Sequence, residues 1–586
     1  MRRLLLSLTL TSLTLTLIGS AARAADDTII PEAASRIGAG ATASAEHFMA
    51  VTANPLATAA AVEILRRGGS AVDASIAAQW VLGLVEPQAS GLGGGAFMLY
   101  WDQPQHQLHF YDGRETAPAA VDDQLFLREN GEPLNFLDAV IGGRSVGTPG
   151  VVKLLALSHQ RHGKLAWAEL FKPAIQIAEK GFAISPRLYT LLKDTPRLAV
   201  NPEIDKYFFA ADGNPKPIGF ILKNPAYAKT LKLLSRQGEK AFYVGPIAHD
   251  IVQTVQHNQN QPGKLALADL ASYQTRERAP VCGAFRQYKV CGPAPPSSGG
   301  TTVLAILGML EHFSNEQLTP RSTGFYHLFA EASRLAVADR DTYIADPDFV
   351  PVPTAGLIAA TYLAQRAQLI DPLHSTAEVK AGQPAWPQAE AALNYLTSQS
   401  PELISTSHLS IVDADGNAVS MTTSIETAFG SRLLVDGFLL NNQLTDFSFV
   451  PRKADGPLIA NRVEPGKRPR SSMAPIIVFR DDKPVMLLGS PGGARIIDYV
   501  AKTLAYTLGG EMSLERAIAS PHIIDMGRGL ELEQGEVDDA IKTDLTALGH
   551  TVKELPQTSG LNGIAIEQGR LHGSSDPRRE GVAAGD

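Results

Sequence analysis

One stretch decides how this chain is interpreted: Ser405-Thr406-Ser407-His408-Leu409-Ser410-Ile411-Val412-Asp413-Ala414-Asp415-Gly416-Asn417-Ala418-Val419. Hydroxyl side chains lead into an alternating apolar segment, and an Asp-Gly-Asn turn then precedes a second segment that continues to Ile425. The pattern predicts a β-hairpin with Ser and Thr side chains at its mouth. On composition alone, those hydroxyls do no more than cap the end of a strand.

Thr406 has a second interpretation, which concerns chemistry. A threonine that becomes the first residue of a chain carries a hydroxyl nucleophile and, beside it, its own α-amino group as a base. A free α-amino group has a pKa of about 7.7–8.0, so part of it is neutral near pH 7. Because Thr406 is internal in this sequence, the chain would have to be cut before it.

These residues resemble the processing site of the γ-glutamyltransferase family, whose motif reads T-[STA]-H-x-[ST], then G-[SN]-x-V, then an aromatic-Gly pair. The motif stands here as Thr406-Ser407-His408-Leu409-Ser410, Gly416-Asn417-Ala418-Val419 and Phe429-Gly430. The resemblance covers nearly all of the chain that follows the first residues. It implies an α+β fold, the four-layer αββα sandwich of the N-terminal nucleophile hydrolases. It also implies self-cleavage between Ser405 and Thr406, which would leave a large subunit (25–405) and a small catalytic subunit (406–586) intertwined as a heterodimer.

The resemblance also implies a site for an α-carboxylate. Arg114, in a segment Arg114-Glu115-Thr116-Ala117-Pro118 that follows an alternating strand, is expected to bind this group. A planar guanidinium suits the task because it can donate two parallel hydrogen bonds to a carboxylate. Ser471 and Ser472 are expected to assist. Without the resemblance, Arg114 is a surface cation and the two serines cap a strand.

Three further residues are expected to contact the substrate's α-ammonium group: Glu426, Gln443 and Asp446. A carboxylate that faces an ammonium group in a partly dry pocket forms charge-assisted hydrogen bonds. Family members carry Asn or Glu at the position of Glu426, so this chain adds a negative charge there. Without the resemblance, Glu426 is a solvated acid at the end of a strand and Asp446 caps a turn.

The remaining expected residues act on the reacting bond. Ser424 stands where the family usually has Thr, and its hydroxyl is expected to orient the nucleophile. Gly492 and Gly493 lie between an apolar strand and a helix that begins near Ile496, and the family resemblance assigns them to the oxyanion hole. Unobstructed N–H groups at the start of a helix bind anions well. Taken alone, this segment is an ordinary strand-to-helix turn.

The implied activity is cleavage of γ-glutamyl amides such as glutathione through a γ-glutamyl ester on Thr406, with transfer to water, an amino acid or a dipeptide and with no cofactor or metal. One departure weakens the choice of substrate. Between Ser448 and Arg470 the chain has no Tyr or Trp and only Phe449, so the lid that some members carry is expected to be short or absent. With Glu426, this resembles acylases that act on the glutaryl-type side chains of cephalosporins. A third alternative is an uncut, non-catalytic binding protein.

The first 24 residues have the pattern of a secretory signal peptide. Arg2-Arg3 precede an apolar run from Leu4 to Ile18, and Ala22-Arg23-Ala24 is a small-x-small cleavage site. Cleavage there predicts a secreted or periplasmic protein. It also removes three arginines and no acids, which changes the formal charge from −8 to −11. This charge argues against nucleic acid as a partner, and no apolar run is long enough to span a membrane.

Two cysteines, Cys282 and Cys291, flank a short segment that is expected to form a hairpin. An exported protein can keep a disulfide, so a cross-strand bridge is one interpretation and two buried thiols are the other. Cysteines this close together, with no histidine nearby in the sequence, make a poor zinc site.

Overall fold

The computed structural model describes residues 41–259, 261–386, 395–397, 405–452 and 456–586. The predicted signal peptide lies outside the described residues. Two seven-stranded sheets occupy the centre of the fold. Sheet I comprises, in spatial order, Thr42–Ala45, Arg570–Ser575, Asn562–Glu567, Lys483–Gly489, Ile476–Arg480, Tyr288–Gly292 and Val281–Phe285. Sheet II comprises Val582–Gly585, Met49–Thr52, Ser407–Val412, Ala418–Ser424, Gly95–Asp102, Gln107–Gly113 and Arg276–Arg278.

The predicted hairpin is present at the centre of sheet II. Ser407–Val412 pairs with Ala418–Ser424 in antiparallel register, so that Ser407 lies opposite Thr423. In the turn, Gly416 has φ +82°, a left-handed conformation that glycine adopts without the steric cost of a Cβ atom. On its other side, Ser407–Val412 pairs with a strand that comes from the beginning of the chain. Each sheet therefore interleaves strands from before and after residue 405.

Sheet II is buried on both faces, because sheet I covers one and helices cover the other. Successive side chains of a strand point in opposite directions and so enter different cores. Phe97 and Leu99 pack into the core that lies between the two sheets. Met98 and Tyr100 pack into the core formed with the helices on the outer side of sheet II, which include Ala71–Val85. All fifteen residues of that helix are buried, as its apolar sequence predicts.

Further helices, including Gly299–Leu310 and Ile496–Leu504, contact sheet I and pack in the same core as its strands. The order of layers is helix, sheet, sheet, helix. The predicted α+β, four-layer αββα sandwich is therefore confirmed. The α-helices are Pro55–Arg66, Ala71–Val85, Phe136–Val140, Val151–His162, Lys172–Lys180, Pro186–Asp194, Pro202–Phe208, Pro225–Gln237, Lys240–Tyr243, Pro246–Gln256, Leu267–Ser272, Gly299–Leu310, Thr323–Tyr343, Thr354–Leu357, Ala360–Ala367, Ile496–Leu504, Leu514–Ala519 and Asp539–Ala547.

In the part of the chain that the structure describes, three small sheets lie outside the sandwich: Ile523–Ile524 with Leu530–Glu533 and Val552–Leu555, Leu434–Val435 with Phe438–Leu439, and Phe182–Ala183 with Ile221–Leu222. At the edge of sheet I, Cys282 and Cys291 lie directly opposite each other on paired strands and are joined by a disulfide. Among the described residues, no helix is both long enough and apolar enough to cross a bilayer.

Candidate active site

Thr406 lies at the mouth of the central hairpin, one residue before the strand Ser407–Val412, and is only 3% exposed. Its Oγ1 donates a hydrogen bond of 2.6 Å to the carbonyl oxygen of Ser405. The Ser405 hydroxyl donates in turn to the carbonyl oxygen of Gln88, over 2.5 Å. The hydroxyl of Thr406 thus lies beside the carbonyl group of the peptide bond that the sequence predicts to be cut.

Ser424 ends the neighbouring strand and reaches the same carbonyl group. Its hydroxyl donates to the Ser405 oxygen at 3.0 Å and lies 3.4 Å from Thr406 Oγ1. It also accepts a hydrogen bond of 2.9 Å from the backbone N–H of Glu426. A hydroxyl donor such as Ser424, aimed at the carbonyl oxygen, stabilises the negative charge that develops there during nucleophilic attack.

His408, two residues beyond Thr406, contacts side chains of the central hairpin. Its ring nitrogens lie 2.8 Å from the Thr422 hydroxyl and 3.1 Å from the Ser410 hydroxyl. Burial lowers the pKa of His408 to about 3, so the ring is neutral at physiological pH. Because both ring nitrogens have hydrogen-bond partners, His408 supports the strand. The general base for Thr406 must therefore be another group.

Arg114 follows the strand Gln107–Gly113 and is 1% exposed. Its Nη2 donates to the Asp446 carboxylate at 2.5 Å and to the carbonyl oxygen of Arg470 at 2.7 Å. Its Nε donates to the carbonyl oxygen of Pro469 at 3.1 Å. These bonds fix the plane of the guanidinium group, which is the geometry that carboxylate recognition requires.

The next residue, Glu115, is completely buried, with its Oε2 3.7 Å from Nη1 of Arg114. Burial raises the pKa of Glu115 to about 8, although the Arg114 charge opposes the shift; the Asp446 carboxylate adds to it. Glu115 is therefore mostly protonated at neutral pH. The short contact between a guanidinium and a carboxylate at this place joins Arg114 to Asp446.

Gln443 and Asp446 begin and end a short 3₁₀ turn. Gln443 Nε2 donates to Asp446 Oδ2 at 3.0 Å. Since the amide NH₂ group faces the carboxylate, the amide oxygen Oε1 faces elsewhere; it is buried and accepts no hydrogen bond from any residue that the structure describes. A cationic donor that entered the site would find this oxygen as an acceptor.

Glu426 is positioned by an unusual backbone conformation and by an amide. Its φ is +79°, in the left-handed region that few residues other than glycine adopt. Asn442 Nδ2 donates to Glu426 Oε2 at 2.6 Å. Asn442 also accepts two hydrogen bonds from Thr427 through its Oδ1. Asn442 therefore ties Glu426 and Thr427 to the segment that leads into Gln443.

Two residues that hold Ser471 and Ser472 in place were not predicted from the sequence. The backbone N–H and the hydroxyl of Ser298 both donate to the Ser471 carbonyl oxygen, each over 2.7 Å. Arg340 donates to the Ser472 hydroxyl at 2.6 Å and to the Ser298 hydroxyl at 2.9 Å. The segment Pro295-Pro296-Ser297-Ser298-Gly299-Gly300 was a visible signal for Ser298. Arg340 lies inside a long helix, where nothing local distinguishes it.

The glycine loop has a backbone conformation in which residues other than glycine would be strained. Gly492 has φ +144° and Gly493 has φ +58°. A Cβ atom at Gly492 would lie 2.7 Å from Cε2 of Tyr499. The loop continues through a short 3₁₀ turn into the helix Ile496–Leu504. The first N–H groups of a helix have no partner within the helix, and so they are suited to an oxyanion.

The predicted residues converge on one small cavity between the sheets. It is lined by Arg114, Thr406, Ser424, Glu426, Gln443, Asp446, Ser471, Ser472, Met473, Gly493 and Ile496. Gly492 is the one predicted catalytic or substrate-binding residue that does not line it. The cavity volume is about 20 Å³, which is room for about one water molecule. With the chain continuous through Ser405, the cavity is too small for a glutamyl group.

Phe449, considered above in connection with a lid, does not cover this cavity. Its ring stacks on Phe126, with the centroids 4.6 Å apart, and lies 6.2 Å from Phe136. Phe126 belongs to a small core that includes Leu444 and Phe447, and Phe449 packs against that core. In the described part of the segment after Asp446, this aromatic side chain packs against the core that contains Leu444 of the Gln443–Asp446 turn.

Comparison with known proteins agrees with this geometry. The sequence model of Gamma-glutamyltranspeptidase matches residues 57–586. The chain belongs to the γ-glutamyltranspeptidase family. A glutathione hydrolase proenzyme of Bacillus subtilis (strain 168) is 37% identical over 545 residues, which cover 92% of this chain and 91% of that protein.

Acylases are also similar to this member of the family. Acylase ACY 1 proenzyme of Pseudomonas sp. (strain SE83) is 33% identical, over 92% of this chain and 94% of that protein. The crystal structure of cephalosporin acylase from Bacillus halodurans matches with a TM-score of 0.83 at 24% identity, over 95% of this chain and 99% of that chain. That structural match confirms the fold, and the family membership establishes the chain as an enzyme.

Proposed function

We propose that this family member is a self-processing γ-glutamyltransferase and glutathione hydrolase with Thr406 as its nucleophile. One observation carries the proposal. Thr406 Oγ1 lies 2.6 Å from the Ser405 carbonyl oxygen, in the same cavity as the Arg114 and Asp446 charges. The nucleophile, the bond to be cut and the groups that suit an amino acid are thus in one place.

The first reaction is cleavage of the chain itself. Thr406 Oγ attacks the Ser405 carbonyl carbon; the C–O bond forms, the C–N bond breaks, and the hydroxyl proton passes to the nitrogen. Ser424 and Thr406 contact the carbonyl oxygen beforehand. Water then hydrolyses the ester, which releases the Ser405 carboxylate and restores the Thr406 hydroxyl. The products are the large subunit, ending at Ser405, and the small subunit, beginning at Thr406.

The second reaction is turnover. Displacement of the Ser405 end enlarges a cavity that now has room for about one water molecule. Thr406 Oγ attacks the γ-amide of the substrate, and its new α-amino group takes the proton and returns it to the leaving amine. N–H groups at Gly492 and Gly493 stabilise the oxyanion. Water, an amino acid or a dipeptide then accepts the γ-glutamyl group.

The charges of the cavity favour a γ-glutamyl group over a glutaryl group. The two differ only by the α-ammonium group of the former. Asp446 is a buried carboxylate that contacts the Arg114 guanidinium, and Gln443 Oε1 is a buried acceptor to which no described residue donates. An ammonium group would donate to Gln443 Oε1 beside the Asp446 carboxylate, whereas a glutaryl chain would leave the buried Gln443 Oε1 unmet, which costs about 1–3 kcal/mol. Arg114, with Ser471 and Ser472, is assigned to the α-carboxylate.

We assign the two chains to a heterodimer and the protein to the periplasm or the exterior of the cell. Interleaving of strands from both sides of residue 405 in each sheet supports the heterodimer, because separation would expose both cores. The export assignment rests on the sequence of residues 1–24.

A pair of chromogenic substrates tests the proposed activity. γ-Glutamyl-p-nitroanilide and glutaryl-p-nitroanilide share a leaving group and differ in the ammonium group alone. We expect kcat/KM to be at least about 10-fold higher for the γ-glutamyl compound, which corresponds to about 1.4 kcal/mol. Equal or higher kcat/KM for the glutaryl compound would instead assign the protein to the acylases.

A further inference from the structure

A second cluster of ligand-bearing side chains lies outside the active-site cavity. His327 and Glu331 occupy successive turns of the helix Thr323–Tyr343, and His550 comes from the segment before the strand Val552–Leu555. One ligand atom from each of the three lies within 4.8 Å of the others. His327 Nδ1 is 2.7 Å from His550 Nε2, and all three residues are buried.

The ring nitrogen of His327 that faces away from His550 has a hydrogen-bond partner, as is usual for a metal-ligating histidine. Its Nε2 lies 2.7 Å from the carbonyl oxygen of Asp371. A carbonyl oxygen can only accept, so Nε2 carries the proton and Nδ1 carries the lone pair. A ring nitrogen with a free lone pair is the form that binds metals.

Glu331 is oriented by three neighbours. Its Oε1 accepts from Arg334 at 2.7 Å and from the Ser375 hydroxyl at 2.9 Å, and its Oε2 accepts from the Thr376 N–H at 3.0 Å. An ionised carboxylate has about four lone-pair positions, so these bonds leave one for a cation. The neighbours fix the carboxylate beside the two imidazoles.

We propose that His327, Glu331 and His550 bind a divalent transition-metal cation, and that Zn²⁺ is the ion they suit. Two imidazole nitrogens and one carboxylate oxygen form a ligand set that zinc uses, with a fourth position for water. Tetrahedral Zn–N bonds of about 2.0–2.1 Å place two nitrogens about 3.3 Å apart. The rings must therefore separate by roughly half an ångström from their present contact, with His550 carrying its proton on Nδ1.

The ligands of the proposed ion come from both sides of the proposed cleavage site. His327 and Glu331 precede the Ser405–Thr406 bond, whereas His550 follows it. In a chain cut at that bond, one ion would join the large and small subunits without entering the catalytic cavity. Metal binding to the folded state alone stabilises it by mass action.

Zinc titration of the purified, cleaved protein tests the site. After dialysis against EDTA and then chelator-free buffer, we expect the wild type to bind one Zn²⁺ and to show a higher Tm with Zn²⁺. His327→Ala and His550→Ala should lose both effects, while His257→Ala, which changes an exposed histidine, should keep them. Absence of Zn²⁺ binding by the wild type, or equal binding by the His550→Ala variant, would overturn the proposal.

Cobalt provides a readout that needs no variant. Co²⁺ added to the EDTA-treated wild type should produce the intense visible absorption of a four- or five-coordinate ion, and Zn²⁺ should abolish it by competition. The weak spectrum of hydrated Co²⁺ would contradict the site. This test stays decisive if the histidine variants do not fold.

Discussion

The guanidinium group of Arg114 lies 2.5 Å from the carboxylate of Asp446, although the two residues are 332 positions apart in the sequence. They belong to opposite sides of the proposed cleavage site, and both are buried. Each was expected to bind one end of the substrate's amino-acid group. In the uncut chain they neutralise each other, and a zwitterionic substrate could replace that pairing with a carboxylate for Arg114 and an ammonium group for Asp446.

Replacement of Asp446 by asparagine should weaken substrate binding. Asp446→Asn removes the charge that faces the ammonium group and leaves Arg114 buried without its counter-charge. Hydrogen bonds to charged groups contribute about 1.5–3 kcal/mol, so we expect kcat/KM for γ-glutamyl-p-nitroanilide to fall about 10- to 100-fold, mainly through KM. Asp539→Asn, at a side chain that is 97% exposed, is the control. Unchanged KM in Asp446→Asn would show that the ammonium group binds elsewhere.

Ser424 is predicted to act through its hydroxyl group. Ser424→Ala removes the donor that lies 3.0 Å from the Ser405 carbonyl oxygen, whereas Ser424→Thr keeps a hydroxyl at that position. Loss of one donor to a developing oxyanion costs about 10²–10³-fold in rate. We expect precursor cleavage, followed by gel electrophoresis over time, to slow by up to this factor in the alanine variant and little in the threonine variant. Equal rates in the wild type and Ser424→Ala would exclude this role.

The glycine loop offers a matched pair of substitutions. Gly492→Ala would bring a Cβ atom to 2.7 Å from the Tyr499 ring, whereas Gly527→Ala meets nothing within 4 Å. Both positions have positive φ, so alanine strains the backbone at both. We expect kcat to fall at least about 10-fold only in Gly492→Ala. A similar loss in both variants would mean that backbone strain, and not the loop's position, limits activity.

Glu115 should make stability depend on pH. Burial raises its pKa to about 8 in the folded protein, above its ordinary value of 4.5. Between about pH 5 and pH 8 the folded state holds a proton that the unfolded chain has released, so this group's contribution to stability falls as pH rises. We expect the Tm of the wild type to decline relative to that of Glu115→Gln across this range. Glu378→Gln, at an exposed residue, controls for general effects of charge. Parallel Tm curves for the wild type and Glu115→Gln would contradict the assignment.

Local patterns were enough to predict the elements that surround the site. The turn at Gly416, the hairpin on either side of it and the helix that begins at Ile496 are each specified by residues next to one another. The bridge between Cys282 and Cys291 was one of two interpretations and depended on a hairpin of a few residues. Family resemblance then named most of the residues that line the cavity.

Contacts between distant segments could not be predicted from the sequence. Arg340 supports Ser472 across 132 positions, and His327 meets His550 across 223. No pattern in the sequence around Arg340 identifies Ser472 as its partner, and none around His327 identifies His550. Such contacts depend on how the helices pack on the two sheets, which the periodicity of one segment does not determine. The support of the serine pair and the candidate metal site therefore emerged only from the fold.

Intact mass spectrometry of the purified protein tests the central claim most directly. The wild type is compared with Thr406→Ala and with Thr406→Ser, which keeps a hydroxyl nucleophile. We predict two chains in the wild type, the smaller beginning at Thr406, together with an uncut Thr406→Ala chain and a Thr406→Ser chain that is still cut. A wild type that stays a single chain after long incubation at neutral pH would contradict self-processing and favour a non-catalytic binding protein.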